Sequence, residues 1–372
     1  MGECIVFDDR PVLVFWETTK ACLLSCVHCR AEAIRSPLPG ELSKEEGYGL
    51  IDQVAEFGEP YPTIIFTGGD PLMRGDIFEL LDYARKRGVR FALSPSVTTL
   101  LTREKLEAIK SSGASAISVS VDGSSPTTHD GIRRVAGTYK RSLEVIDEAI
   151  GLGLSVQVNT TVMRSNVLEL PRIFHMVKTH KVKVWEVFFL IRVGRGMGVE
   201  DLGADENESV LNFLYDASRY GVILRTVEAP SIRRVLKIRE EAGDYWNHPL
   251  YERLRSTLYE LEGQPSQKTT ISPRGTLDGD GIIFIGYEGT VYPGGLTPIP
   301  LGNIRKQSLR QIYRYHPLLL KIRSRELNGL CGVCEYRQIC GGSRARAYAS
   351  GRDPLGSDPG CVKAAQPPIW AS

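Results

Sequence analysis

Seven of the eight cysteines fall into two groups. Cys22, Cys26 and Cys29 lie in TTKACLLSCVHCRAE with the spacing C-x3-C-x2-C, and Cys331, Cys334, Cys340 and Cys361 follow C-x2-C-x5-C-x20-C. Only Cys4 stands alone, and it reads as a small buried apolar residue. Grouped thiols in a chain that opens without a basic, apolar secretory leader are expected to bind metal rather than to pair as disulfides. Three thiolates are one fewer than a closed cubane or a structural zinc site wants. A cubane gripped by three corners keeps one iron open, and an open coordination site is what chemistry needs. Zinc completed by His28 is the competing arrangement, although His28 directly precedes Cys29 and simultaneous ligation by both is cramped. Four thiolates close the second site, as a 4Fe–4S cluster or as Cys4 zinc.

These side chains need a scaffold, and the sequence describes one. From Val12 to about Gly221, short β-rich runs alternate with amphipathic helical stretches. The strands expected are Val12–Thr18, Thr63–Thr67, Arg90–Leu93, Ala116–Val121, Ser155–Thr161 and Val184–Leu190. Ser43 with Glu46 and Asp76 with Glu79 fit capping boxes, and Gly58, Gly88 and Gly113 supply helix stops. Six βα units in succession imply a parallel sheet with right-handed crossovers. Six is short of the eight in a closed barrel, so the expected fold is α/β, an open partial (β/α)6 barrel followed by a small C-terminal iron–sulfur domain. Polar or glycine-rich residues stand past the C-terminal end of each strand: the Cys22 loop, Gly68-Gly69-Asp70, Ser94, Asp122, Asn159 with Thr160, and Arg192 with Gly194. That rim is where barrel-like α/β folds build active sites. Residues 222–261 read as charged and helical, and 263–281 as a Gly/Pro/Ser/Thr-rich linker. The expected domains are 1–225 for the barrel, 226–281 for a helical bridge and linker, and 282–372 for a unit that opens with the hairpin-like IIFIGYEGTVYPGG.

Composition narrows the partners. A net charge of +2 provides no global attraction to nucleic acid or to a membrane surface. No apolar run approaches the roughly 18–20 residues needed to cross a bilayer, and MGECIVFDDR carries acids where a signal peptide has a basic region. The expected location is the cytoplasm.

C-x3-C-x2-C after a first strand resembles the signature of the radical S-adenosylmethionine (SAM) superfamily. The resemblance implies that the open iron chelates SAM and that reductive cleavage releases a 5′-deoxyadenosyl radical, which takes a hydrogen atom from the substrate. It continues strand by strand. TGGDP, with Gly68, Gly69, Asp70 and Pro71, is similar to the GGEP motif whose backbone holds the SAM amino group; Asp70 replaces the usual Glu with a shorter arm. VSVDG is similar to SLDG, implying Ser120 and Asp122 near the ribose or carboxylate. HDGIRRVAGTY resembles a pattern in which Arg133 pairs with the SAM carboxylate, a role for which bidentate geometry suits arginine. Ser94 stands where a ribose-contacting motif occurs, and Asn159 and the Leu190 backbone complete the implied set.

The C-terminal cysteines, together with YEGTVYPGG and LGNIRKQSLRQIY, resemble the SPASM/twitch extension, whose site is an auxiliary 4Fe–4S cluster. Full SPASM domains carry further cysteines in the hairpin and after the C-x2-C-x5-C run. Here those neighbourhoods read Gly294-Gly295 and Arg344, so two clusters are expected in total. WETTKACLLSCVHCRAEA, GGDPL and CGGSRARAYA are closest to the radical SAM proteins of alternative haem synthesis, which modify propionate or acetate side chains of iron tetrapyrroles. Arg192, Arg195 and Arg344, with Arg233, Arg234 and Arg346, are the arginines that could receive such carboxylates. The resemblance also implies a small one-electron donor such as flavodoxin or ferredoxin. A peptide maturase is the alternative; only 21 residues precede Cys22, too few for a peptide-recognition domain. A non-catalytic iron–sulfur or zinc protein is a third. Iron and sulfide assay of anaerobically purified protein is expected to find about eight irons per chain, whereas about four irons with one zinc would refute the auxiliary cluster.

Overall fold

The computed structural model describes residues 7–365, and Cys4 lies outside them. Seven strands, β1 Leu13–Glu17, β2 Thr63–Thr67, β3 Phe91–Leu93, β4 Ile117–Ser120, β5 Val156–Val162, β6 Val184–Phe189 and β7 Ile223–Val227, pair in sequence order, all parallel. Helices occupy the connections, as parallel pairing requires. Four shorter strands follow: β8 Leu277–Asp278, β9 Gly281–Ile285, β10 Thr290–Tyr292 and β11 Gly302–Asn303. Strand β9 adds parallel to the free side of β1, with Leu13 opposite Ile282 and Phe15 opposite Phe284. Strands β10 and β11 then extend the sheet antiparallel.

Alternation along the strands divides the molecule into an outer core and an inner face. Val14, Trp16, Ile64, Phe66, Val119, Val158, Trp185 and Val187 are sealed beneath the helices with Leu50, Ile51, Leu80 and Phe174. Their neighbours Thr67, Ser118, Ser120, Asn159, Thr161, Glu186 and Phe188 point the other way and are only half-buried. Partly exposed and largely polar towards the ends of β4 to β6, this inner face is unlike the sealed interior of a closed barrel.

Three sequence expectations change. The run after Gly221 is not helical throughout: Ile223–Val227 forms a seventh parallel strand. It is an edge strand, so Ile223 and Arg225 are exposed and its charge resembles that of a surface helix. A boundary at 225 therefore cuts a strand, and one at 282 cuts β9, which belongs to the same sheet as the barrel. At the third position, Ser43 and Glu46 make both bonds of the capping box, but Asp76 caps nothing. Its carboxylate is held instead by Arg74, through Nε at 2.6 Å and Nη2 at 2.9 Å.

Because β9 is fused to β1, its core residues stabilise both units at once. Ile283→Ala, which removes a fully buried side chain, is expected to cost about 2–5 kcal/mol. A single lowered unfolding transition by calorimetry is the expected result; two separate transitions would show that the C-terminal unit is independent.

Candidate functional site

The loop after β1 is fastened to the loop after β2 by main-chain bonds. The amide of Gly69 donates to the Thr19 carbonyl and that of Asp70 to the Ala21 carbonyl, both at 2.7 Å. Gly68 adopts φ +144°, and a Cβ there would lie 2.5 Å from the Thr19 oxygen; one on Gly69 would collide with the Ala21 carbonyl. Both glycines are thus required by backbone approach. Asp70 is fully buried and its carboxylate accepts from the Leu72 amide at 3.1 Å and from Thr98 Oγ1 at 3.2 Å. Burial raises its pKa to about 6 against those hydrogen bonds. Its side chain ties this turn together, and Pro71 opens the short helical turn beyond it.

The same loop gathers the three cysteines. Cys22 and Cys26 pack with Leu24 and Ala33 in one small apolar cluster, with Cys29 and Val135 against it. Cys22 Sγ receives the Leu24 amide at 3.3 Å and lies 3.3 Å from Ser96 Oγ, which also donates to the Gly69 carbonyl. Arg133 Nη1 points at Cys26 Sγ, 3.6 Å away. Arg195, a residue expected to meet substrate, clasps the loop instead: Nε donates to the Cys26 carbonyl and Nη1 to the Ala33 carbonyl, each at 2.9 Å.

Behind the cysteines lies a buried charge relay. Asp122 Oδ2 is 2.5 Å from Arg133 Nη2 and 3.7 Å from His28 Nε2; Oδ1 accepts the Thr161 amide at 2.8 Å. Burial alone would raise the Asp122 pKa, but Arg133 and then His28 outweigh it and hold the carboxyl below its usual range. Burial lowers both His28 and His129 to about 4, so both are neutral at pH 7. Nε2 of His28 faces Asp122, and its buried Nδ1 has no hydrogen-bond partner among the described residues.

The remaining implied SAM contacts surround this loop. Ser94 Oγ is 2.6 Å from Ser118 Oγ. Ser120 and Asn159 are register partners on β4 and β5, and Asn159 Oδ1 accepts from Gln157 Nε2 at 2.8 Å. The Leu190 carbonyl accepts from Arg346 Nη2 at 3.4 Å, across to the C-terminal unit. Ser96 was not among the expected residues, although it closes the same LSPS run that holds Ser94.

The other four cysteines line one cavity together with Arg234, Tyr336 and Gly342. All seven cysteines of the two motifs are free thiols. The amides of Gly342 and Asp358 donate to Cys340 Sγ and Cys331 Sγ, each at 3.4 Å, and a Cβ on Gly342 would lie 2.9 Å from Cys331 Sγ. Burial pushes the Cys340 thiol up to about 12, so an uncompensated thiolate is unfavourable there and a bound cation would have to stabilise it. Among the described residues no three His, Cys, Asp or Glu side chains converge on a single ion. Four thiols lining one cavity, with amides directed at sulfur, fit a metal cluster held by all four.

The arginines near this cavity are structural. Arg344 donates to the carbonyls of Gly342, Pro354 and Gly356 at 2.8–3.1 Å, and Arg234 forms a buried bidentate pair with Glu208. Arg346 spans Asp358, Glu228 and Leu190, and Arg233 reaches the carbonyls of Ile339 and Gly275. Only Arg192 is exposed on the rim, with one bond to the Met197 carbonyl.

A model of the radical SAM superfamily matches residues 16–177, and one for the SPASM iron–sulfur cluster-binding domain matches 278–335. The chain is 37% identical over 366 residues to the AdoMet-dependent heme synthase of Nitratidesulfovibrio vulgaris, covering 97% of this chain and 95% of that one. This chain belongs to the radical SAM superfamily. The AdoMet-dependent heme synthase of Methanosarcina barkeri is 34% identical, covering 96% of this chain and 98% of its own. The fold matches that of anSMEcpe solved with bound AdoMet, at a TM-score of 0.67 and 14% identity over 94% of this chain and 90% of that one. This radical SAM enzyme accordingly carries SAM and 4Fe–4S chemistry, and both thiol sets fit the clusters. No helix among the described residues is long and apolar enough to cross a membrane.

The reassignment of Arg195 is open to test. In Arg195→Ala the Cys22 loop loses two buried clasps, and iron is expected to fall from about eight towards about four per chain. Full iron with impaired turnover would instead return Arg195 to a substrate-contacting role.

Proposed function

We propose that this enzyme abstracts hydrogen from a propionate or acetate side chain of an iron tetrapyrrole, as part of haem-type cofactor synthesis. The observation that carries the reading is the similarity to AdoMet-dependent heme synthases at more than a third identity over nearly the whole chain. The cysteine inventory agrees with it. Gly294 and Gly295 stand where fuller SPASM domains place a cysteine, which leaves two clusters instead of three.

The chain's own residues do the positioning. Gly68 and Gly69 permit the backbone contact that fixes the cysteine loop, and Arg195 fixes its far side. The Asp122–Arg133 pair presents a guanidinium beside Cys26, where it can meet a carboxylate of SAM. Once bound, SAM and its cluster supply the 5′-deoxyadenosyl radical that removes the substrate hydrogen. The inner faces of β4 to β6 offer hydroxyls, amides and Glu186 around the space in which the two meet, and the helices outside exclude water. Cys331, Cys334, Cys340 and Cys361 would hold the second cluster with all four thiols, and so closed it would serve to pass electrons or to order the substrate pocket rather than to bind substrate. A low-potential carrier of the flavodoxin or ferredoxin type provides the reducing electron.

Anaerobic turnover with reductant, SAM and iron coproporphyrin III, sirohaem derivatives or candidate peptides, read by mass spectrometry, tests the proposal. The expected result is 5′-deoxyadenosine with a modified tetrapyrrole and no modified peptide; a modified peptide would overturn it. Cys26→Ala is expected to abolish 5′-deoxyadenosine. Cys340→Ala should still form it but without matching product.

A further inference from the structure

The mouth of the barrel holds an arginine that the sequence reading passed over. Arg30 follows Cys29 directly, and its guanidinium lies 4.3 Å from the centroid of the Phe284 ring. One nitrogen, Nη1, is 3.2 Å from Glu17 Oε1 at the end of β1. The side chain is 24% exposed, and no other hydrogen bond to it is present among the described residues. A guanidinium has five N–H donors in a planar fork. Here the guanidinium is held against the Phe284 ring and one donor is engaged, so a charged group is positioned and still accessible.

Beside it is a pair of acids. Glu228, directly after β7 and in the left-handed region at φ 58°, is hydrogen-bonded to Asp278 on β8. Ser343 Oγ donates to Glu228 Oε2 at 2.5 Å and Thr297 Oγ1 to Asp278 Oδ2 at 2.9 Å. Two carboxyls in contact cannot both ionise cheaply, so the pair shares one proton. Desolvation, then Asp278, raises Glu228 well above its usual range against Arg346, while Asp278 is raised by burial and eased by Arg30. The charged groups facing the pair are Arg30 and Glu17 from the barrel and Arg346 from the helix Arg344–Gly351.

The turn at Gly294–Gly295 makes the arrangement possible. A Cβ on Gly294 would occupy the Asp278 carboxyl, and one on Gly295 would lie 3.1 Å from the Phe284 ring and 3.3 Å from Arg30 Nε. The position where fuller SPASM domains carry a cysteine is thus given over to this polar nest.

We infer that Arg30 and the Glu228–Asp278 pair form a subsite that recognises a carboxylate of the substrate, Arg30 by charge and the pair by donating its shared proton in a hydrogen bond. The inference rests on the tetrapyrrole reading and names the group that is read. Glu17 already engages one edge of Arg30, and the acid pair carries a single negative charge while it keeps its proton and a second once that proton is lost. Binding should therefore be strongest while the pair keeps its proton and weaken as pH rises through its raised pKa.

The experiment is titration of the two-cluster enzyme with iron coproporphyrin III and with its tetramethyl ester, followed by the Soret band across pH. Wild type is expected to prefer the free acid, and to lose that preference at high pH. Arg30→Gln should weaken acid binding by about tenfold or more, the scale of one charge-assisted bidentate contact, and leave ester binding unchanged; Arg30→Lys should fall between. Glu228→Gln, which cannot ionise, should bind the acid with no fall at high pH. Iron content reports folding, and should Arg30→Gln lose its iron, the pH profile of Glu228→Gln still decides. Wild-type binding with Arg30→Gln unaffected, or Glu228→Gln with the wild-type pH profile, would overturn the subsite alone. Failure of wild type to bind any tetrapyrrole would overturn the proposed function with it.

Discussion

The loop after β2 crosses the loop after β1 so closely that a Cβ at Gly68 or Gly69 would collide with the main chain of Thr19 or Ala21, and the catalytic loop depends on that approach. Residues 18–34 contain no helix and hardly any strand, yet they must hold three sulfurs within reach of one cluster. Order comes from outside: the Gly69 and Asp70 amides on one side, the carbonyls of Ile132 and Arg133 accepting from Val27 and Ser25 on another, and Ile34 pairing back on Cys22. Arg195 closes the remaining side with three bonds, two from its guanidinium and one from its amide. A methyl group at Gly68 or Gly69 would separate the first of these contacts, and the others have no independent route to the same geometry.

The C-terminal unit is coupled to this loop through the sheet and through charge. Strand β9 pairs with β1, so the hairpin moves with the strand that carries the first cysteines. Arg346, three residues into the helix after the auxiliary loop, reaches the ends of both β6 and β7 through the carbonyls of Leu190 and Glu228. Buried pairs such as Arg234–Glu208 and Arg325–Asp280 are weak sources of net stability, because desolvation offsets attraction. Their value here is geometric: Arg234 locks the helix Ile232–Ala242 to the helix Ala204–Ala217, and Arg325 ties the end of Pro317–Ser324 to Asp280. In this molecule arginine is mainly a substitute for secondary structure around the cysteines.

That use explains what could and could not be read from the sequence. The strands, their order and the cysteine groups were legible because period-2 hydrophobicity and ligand spacing are local properties. Ile223–Val227 was not, since an edge strand with Arg225 on it lacks the apolar alternation of a central one. The destination of an arginine is a long-range property: CGGSRARAYA shows that Arg344 and Arg346 exist, not that five carbonyls and a carboxylate await them. Asp76 fits a capping box by spacing, and Arg74, two residues away, takes its carboxylate. Glu228 and Asp278 are fifty residues apart and come together only because β7 and β8 end at the same mouth. Arg30 was overlooked because it sits beside a metal ligand and reads as part of that motif.

Glycine at positions 294 and 295 of the hairpin has an electrostatic consequence. A four-iron cluster on four thiolates carries net negative charge, and placed at the barrel mouth it would repel a substrate bearing several carboxylates. Here the space holds Arg30, whose charge Glu17 offsets, and a pair of acids that keeps one proton and so carries a single negative charge, less than such a cluster would bring. The proton is retained for the reason that the site is useful: the pocket is too poor in water for both acids to ionise. An enzyme built for neutral peptide segments has no need of that economy of charge. One built for a polycarboxylate does, and the glycines at 294 and 295 leave the room that Asp278, Phe284 and Arg30 take up.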